Sequence, residues 1–199
     1  MILSRKFYNR PTLTVARELL GAKLIHISNG KKLVGLITET EAYFGFDDLA
    51  SHAKAGRTIR TDPMFGEAGH AYIYFTYGNH WMLNAVTEKE GFPAAVLIRA
   101  IQPIEEVELM MKRRMGRNTF GPGKLTQALG ITKSQNYVDL TESSSTLRIE
   151  AGIKIPDKIV TIGARVGLNK TPEPWFSKPW RFLVKDWKIS NEDIAKASQ

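Results

Sequence analysis

Apolar residues recur along this chain with two periods, and the points where one gives way to the other mark its elements. In LTVARELLG, Leu13, Ala16, Leu19 and Leu20 fall at helical spacing and Gly21 supplies the stop, which predicts a short helix. The runs KLIHIS and LVGLITETEAY that follow are rich in Leu, Val, Ile and Thr. Asn29-Gly30 between them favours the primed turns of a hairpin. The two runs are therefore expected to pair antiparallel, with Glu39, Glu41 and Tyr43 at or just beyond the end of the second strand.

Residues 44–70 break this pattern with Gly, Asp, Pro and several cations, and predict a long, partly helical connection of the kind that carries function. AYIYFTY, Gly78-Asn79 and HWMLNAV then predict a second hairpin with an aromatic-rich first strand. AAVLIRA is continuously apolar and predicts a central strand ending at Arg99. A helix is expected next, with Pro103 near its start, Glu105, Glu106 and Glu108 early, Lys112, Arg113 and Arg114 late, and Gly116 as stop. That order complements the helix dipole. GPGKLTQALG opens another helix, and TLRIEAG, VTIGARVGL and WRFLVKD supply further strands. Strands and helices do not alternate, so the expected class is α+β, with a mainly antiparallel sheet in one domain over 1–199 and a polar tail, about 188–199, that frays.

The 199 residues fit one domain, and 43% hydrophobic with 24% charged residues is enough to bury a core. No window reaches the roughly 18–20 apolar residues of a spanning helix, and no apolar run follows the basic start as in a signal peptide. An intracellular protein without a membrane association is expected. The chain has no cysteine, which excludes disulfides, thiolate zinc sites, iron–sulfur clusters and a Cys nucleophile. The four histidines form no HExxH, so only a site built from His, Asp and Glu could hold a metal. The formal charge of +8 suggests a polyanionic partner, since Lys and Arg that neutralise phosphates gain affinity by releasing counterions.

Three constellations could carry chemistry. Glu39 and Glu41 share a strand face with Tyr43: either acid–base work, a metal clamp or two solvent-facing acids. Tyr72 and Tyr74 share a face of their strand, as cross-strand packing or as a stacking platform, and Tyr77 either flanks the turn or forms a wedge for a stacked helix. GPGKL lacks the spacing of a nucleotide P-loop. Lys124 at that helix start either holds one backbone phosphate or is simply solvated.

In order, LITETEAYFGFDDLASHA, GHAYIYFTYGNHWMLN, VLIRAIQPIE, GPGKLTQALGI, ARVGL and KPWRFLV resemble the alkyladenine (3-methyladenine) DNA glycosylase family over roughly residues 10–185. The resemblance implies a curved sheet with a protruding tyrosine-bearing hairpin. It also implies a monomeric, cofactor-free, metal-free enzyme that flips damaged purines out of double-stranded DNA and hydrolyses the N-glycosidic bond, leaving an abasic site. On this likeness Glu41 matches the general base, and Tyr43 the aromatic on one face of the flipped base, with His52 and Tyr74 on the other. Tyr77 matches the residue that fills the vacated space, and Asn84 the one that polices the pocket against guanine. Arg99 and the Val166 carbonyl match groups that, with Glu41, hold the attacking water.

The chemistry agrees with these residue types. A carboxylate beside the sugar stabilises an oxocarbenium-like state and takes a proton from water. Charge pairing with Arg99 is expected to keep Glu41 ionised. Rival repair chemistries lack their parts. There is no Cys to accept an alkyl group or to build a zinc deaminase signature, and no His followed two places on by Asp. A silent nucleic-acid binding module using the basic surface and tyrosine hairpin, and a metal-dependent nuclease using Glu39 and Glu41, stand as the alternatives.

Overall fold

A computed structural model describes residues 1–76 and 78–185. Tyr77 and the polar tail lie outside the described residues. Two short helices, α1 (Arg5–Tyr8) and α2 (Thr12–Glu18), precede the first hairpin. Its strands are β1 (Lys23–Ser28) and β2 (Lys31–Phe44), in register from Lys23 opposite Leu36 to Ser28 opposite Lys31. Asn29 and Gly30 between them have φ of 53° and 74°, the left-handed pair that a primed turn requires. β3 (Ala71–Thr76) and β4 (His80–Val86) form the second hairpin, and β5 (Ala94–Glu105) lies between β4 and β2. The helices α3 (Val107–Arg113) and α4 (Pro122–Leu129) follow, then β6 (Leu147–Glu150), β7 (Val160–Gly163) and β8 (Arg181–Val184).

All pairings are antiparallel. The sheet runs β3-β4-β5-β2-β1-β6, with β8 pairing both β2 and β7, so the class is α+β with one curled antiparallel sheet. The length of β2 explains the curl. Its first half pairs β1, whereas Glu39–Glu41 pair Leu183–Arg181 of β8. Val15, Ala16, Leu19 and Leu20 bury the α2 face against this sheet, and the Thr40 hydroxyl ties β2 to the Ala16 carbonyl at 2.8 Å. The connection 44–70 contains two 3-10 turns, His52–Ala55 and Asp62–Phe65. It is held down by a small core of its own, in which Ala53, Met64 and Phe65 pack on Tyr72, Val86 and Ala95.

Four expectations are corrected. Glu39 and Glu41 lie within β2, not at or past its end, because both β5 and β8 pair it there; Tyr43, its penultimate residue, is at the end as expected. The helix placed at Pro103 begins only at Val107. β5 runs on, with Pro103 opposite Gly35 at a register shift where a missing N–H is tolerated, and Glu105 and Glu106 bond Lys32 and Lys31 across the hairpin end. Arg99 is therefore inside a strand and not at its end. Likewise the strand in VTIGARVGL stops at Gly163, because Arg165 and Val166 turn inward to partners described below.

Candidate active site

Alternation along β2 puts Glu39, Glu41 and Tyr43 on one face, and that face is closed. Glu41 is fully buried and Glu39 is 7% exposed, which removes the reading of two solvent-facing acids. Two register slips between β2 and β5 then aim a cation at them. Ile37 faces Ile101 and Glu39 faces Ala100, leaving Thr38 unmatched; Thr40 faces Ile98, leaving Arg99 unmatched. A bulged residue is re-aimed out of the regular ladder. Arg99 donates from Nε to Glu39 Oε1 at 3.0 Å and from Nη1 to Glu41 Oε2 at 3.3 Å. Arg181 on β8 adds a second cation to Glu39 at 2.6 Å. The guanidinium of Arg99 thus takes the position between the two carboxylates that a clamped metal would need. Among the described residues no group of three or more His, Asp or Glu is placed to hold a metal ion.

Glu41 has three donors: the Val166 N–H at 2.7 Å on Oε1, and the Tyr43 hydroxyl at 2.8 Å with Arg99 on Oε2. The structure shows the Val166 amide bonded here, where the family likeness had pointed to its carbonyl. Burial nonetheless pushes the Glu41 carboxyl above the usual glutamate range, against the pull of Arg99, the Val166 N–H and the Tyr43 hydroxyl, with Glu39 adding to the rise. The expected pairing of Arg99 with Glu41 is present and favours the ionised form, but Arg99 is shared with Glu39 and burial is the larger influence on the carboxyl. A buried carboxylate tuned upward in this way is a better proton acceptor near neutrality than an ordinary one.

Glu41 does not itself reach the neighbouring cavity but lies behind three of its lining residues; that cavity is about 420 Å³, ordinary for a small-molecule site. Tyr43, Arg99 and Val166 line it beside Glu41. His52, Tyr72 and Tyr74 form another wall, and Asn84 and Leu97 lie along it, with Gly121–Lys124 at its edge. His52 and Tyr74 meet edge to face at 4.5 Å between ring centres, and Tyr72 and Tyr74 lie 5.2 Å apart. Burial, aided by Arg60 and Lys54, pushes His52 down to about 4, so its imidazole is neutral at physiological pH. Asn84, directly opposite Tyr72 in the β3–β4 ladder, donates its amide to the Tyr72 carbonyl at 3.0 Å and is thereby fixed. The start of α4 is anchored to the site, since Gly121 N donates to the Arg99 carbonyl at 2.9 Å. Lys124 on its first turn is exposed, 3.4 Å from Asn118 Oδ1.

The structure thus gathers seven of the expected residues, Tyr43, His52, Tyr74, Asn84, Arg99, Lys124 and Val166, around one cavity, with Glu41 bonded behind three of them. Sequence reasoning missed the Tyr72 hydroxyl, 3.2 Å from His52 Nδ1, although its place two residues before Tyr74 put both on one face. It also missed Arg60, whose guanidinium lies 5.1 Å from the Tyr74 ring centre. Arg165 and Asp48, a buried ion pair behind Tyr43, carried no local signal.

These features define a site for a flat aromatic group with a buried carboxylate poised behind it. Comparison with known proteins makes the class specific. The model of the family described as methylpurine-DNA glycosylase matches residues 6–188. A relative from Myxococcus xanthus is 44% identical over 184 residues, 92% of this chain and 90% of its own length. One from Wolbachia pipientis of Culex pipiens is 49% identical over 181 residues (91% and 88%), and one from Methanocella arvoryzae 44% identical over 190 residues (93% of each). Each carries the name "putative 3-methyladenine DNA glycosylase". The chain belongs to the methylpurine-DNA glycosylase family. It is accordingly a monofunctional DNA glycosylase of base-excision repair. Among the described residues no helix is long and apolar enough to cross a membrane.

Proposed function

We propose that this enzyme flips alkylated or deaminated purines, of the 3-methyladenine, 7-methylguanine, hypoxanthine and ethenoadenine class, out of duplex DNA and hydrolyses their N-glycosidic bond with a water activated by Glu41. In this reading Tyr43 stacks on one face of the flipped base, with His52 and Tyr74 against the other. A water held by Glu41, Arg99 and the Val166 backbone attacks C1′ of the deoxyribose. Its oxygen bonds to C1′, the C1′–N bond breaks with its electron pair going to the base, and a water proton passes to Glu41. The carboxylate also stabilises the positive charge that builds on the sugar.

The observation that carries the reading is Glu41 itself: a fully buried carboxylate directly behind the wall of an aromatic-lined cavity, held by Arg99, a backbone N–H and a tyrosine hydroxyl. The slot chemistry agrees. A neutral His52 beside tyrosine faces does not repel a cationic alkylpurine, which aromatic faces attract. Asn84, fixed by its bond to Tyr72, is the residue that rejects guanine by its shape. Tyr77 fills the gap the base leaves, offsetting the few kcal/mol of unstacking. Lys124 holds a backbone phosphate at the rim. The working unit is a monomer acting on intracellular double-stranded DNA, and the chemistry uses no cofactor.

The test uses a duplex oligonucleotide with one hypoxanthine or one ethenoadenine. Wild type should leave an alkali-labile site at the lesion, and Glu41→Gln should lose about 10²–10⁴ of the rate while still binding the duplex. Equal cleavage by both would remove Glu41 from the chemistry. Salt-dependent binding without base release by wild type would point to a binding module instead. Because Glu41 must be ionised to act and its value is raised, activity should fall on the acid side at a pH above the ordinary glutamate value.

A further inference from the structure

The geometry points to Arg165 as the positioning residue that sets the width of the base slot and, through its neighbour Val166, the state of Glu41; this rests on the slot reading above. Arg165 is 3% exposed, and its guanidinium is inserted between two rings, 4.5 Å from the centre of Tyr43 and 4.9 Å from that of Trp180. It backs the Tyr43 ring from behind. In its own plane the guanidinium grips Asp48 with both arms, Nη1 to Oδ2 at 2.6 Å and Nη2 to Oδ1 at 2.9 Å, and also donates to the carbonyls of Ala42 at 3.0 Å and Trp175 at 3.2 Å.

Two of these partners, Ala42 and Asp48, lead to parts of the site. Ala42 lies between Glu41 and Tyr43 in β2. Asp48 organises the turn that carries the opposite wall: its Oδ1 accepts from Ala50 N at 3.0 Å, its carbonyl accepts from Ser51 N at 2.9 Å, and the Ser51 hydroxyl oxygen caps the turn beginning at His52 by accepting from Ala53 N. One guanidinium therefore links the Tyr43 wall to the His52 wall, and the separation of those walls decides which flat bases fit. The next residue in the chain, Val166, presents its N–H to Glu41 at 2.7 Å, so the clamp also fixes one of the three donors that oppose the upward shift of that carboxylate.

Stability alone does not explain such a pair. Replacing a buried ion pair by well-packed apolar side chains is often neutral or favourable, so the attraction between the charges does not require it. What an apolar filler could not do is fix two separate loops and a stacked ring in one plane. The planar fork of arginine does that, whereas the ammonium of lysine offers charge without the fork.

The test compares wild type with Arg165→Lys and with the neutral double variant Asp48→Asn/Arg165→Gln, which leaves no unpaired buried charge. Folding is checked by thermal melting, and single-turnover base release is followed across pH on hypoxanthine and ethenoadenine duplexes. Affinity is measured on a duplex with a tetrahydrofuran abasic analogue, which places no base in the slot. Base release should fall about 100-fold in both variants, the effect of a misplaced reacting geometry. Affinity for the abasic duplex should stay near wild type, and the acid limb of the pH profile should move to higher pH as Glu41 loses its oriented donor. The ratio of the two lesion rates should also change. Folded variants with the wild-type rate, lesion ratio and acid limb would overturn the clamp. Restoration of all three by lysine would reduce Arg165 to a charge. If wild type releases no base from either duplex, it is the slot reading that fails.

Discussion

Asp48 and Glu41 are both carboxylates with no exposed side-chain surface, and each faces an arginine. Their surroundings divide them into two kinds. Asp48 is the one carboxylate on its guanidinium among the described residues, with both arms engaged at 2.6 and 2.9 Å. Glu41 has one arm of Arg99 at 3.3 Å, while the Nε of the same arginine belongs to Glu39. A carboxylate that monopolises its cation is committed to holding structure. One that shares its cation with a second acid is held less fully, and burial then pushes its carboxyl above the usual glutamate range.

The largest expected effect is on the committed pair. Asp48→Ala leaves Arg165 charged, buried and without its carboxylate, and should cost about 3–5 kcal/mol in urea-induced unfolding. A loss near the 0–1 kcal/mol of a surface pair would erase the distinction. Next comes Arg99→Gln. The fold should persist, because Glu39 keeps Arg181, but removing the cation raises Glu41 further and the acid limb of base release should move to higher pH. Each unit of that shift costs about tenfold in the ionised fraction below the new value. An unmoved limb would mean that Arg99 does not tune Glu41. The smallest effect sharpens the comparison from the other side. Glu39→Gln removes a like charge and leaves Arg99 to Glu41 as its one carboxylate, so the limb should move slightly to lower pH, with little change in the plateau rate.

What could be read from the chain follows from how far apart the interacting residues are. Asn29-Gly30 announces its own hairpin, and alternation in TETEAY correctly puts Glu39, Glu41 and Tyr43 on one face, because both signals are local. Whether that face is wet or closed depends on β8, more than a hundred residues away, and no periodicity reports it. The inward turn of Arg99 depends on two slips between β2 and β5, visible only once the strands are paired. Pro103 misled for the same reason: next to acidic residues it reads as a helix start, yet the pairing with Gly35 extends the strand through it. The family likeness assigned roles to the residues around the cavity but not to the pair behind it. An arginine and an aspartate 117 positions apart leave no mark on either local pattern.

That same separation sets an order of events during synthesis. The Val166 amide reaches a carboxylate 125 positions earlier, Arg165 one 117 earlier and Arg181 one 142 earlier. Growing at 5–20 residues per second, a ribosome needs about 6–25 s between making Glu41 and making Val166. A nascent chain halted in that interval contains the residues of the aromatic strands and Glu41 but neither the Val166 amide nor Arg165. The contacts that complete the site thus arrive with the last third of the polypeptide, so a chain that stops short of Arg165 lacks the groups that hold Glu41 and Tyr43 in place.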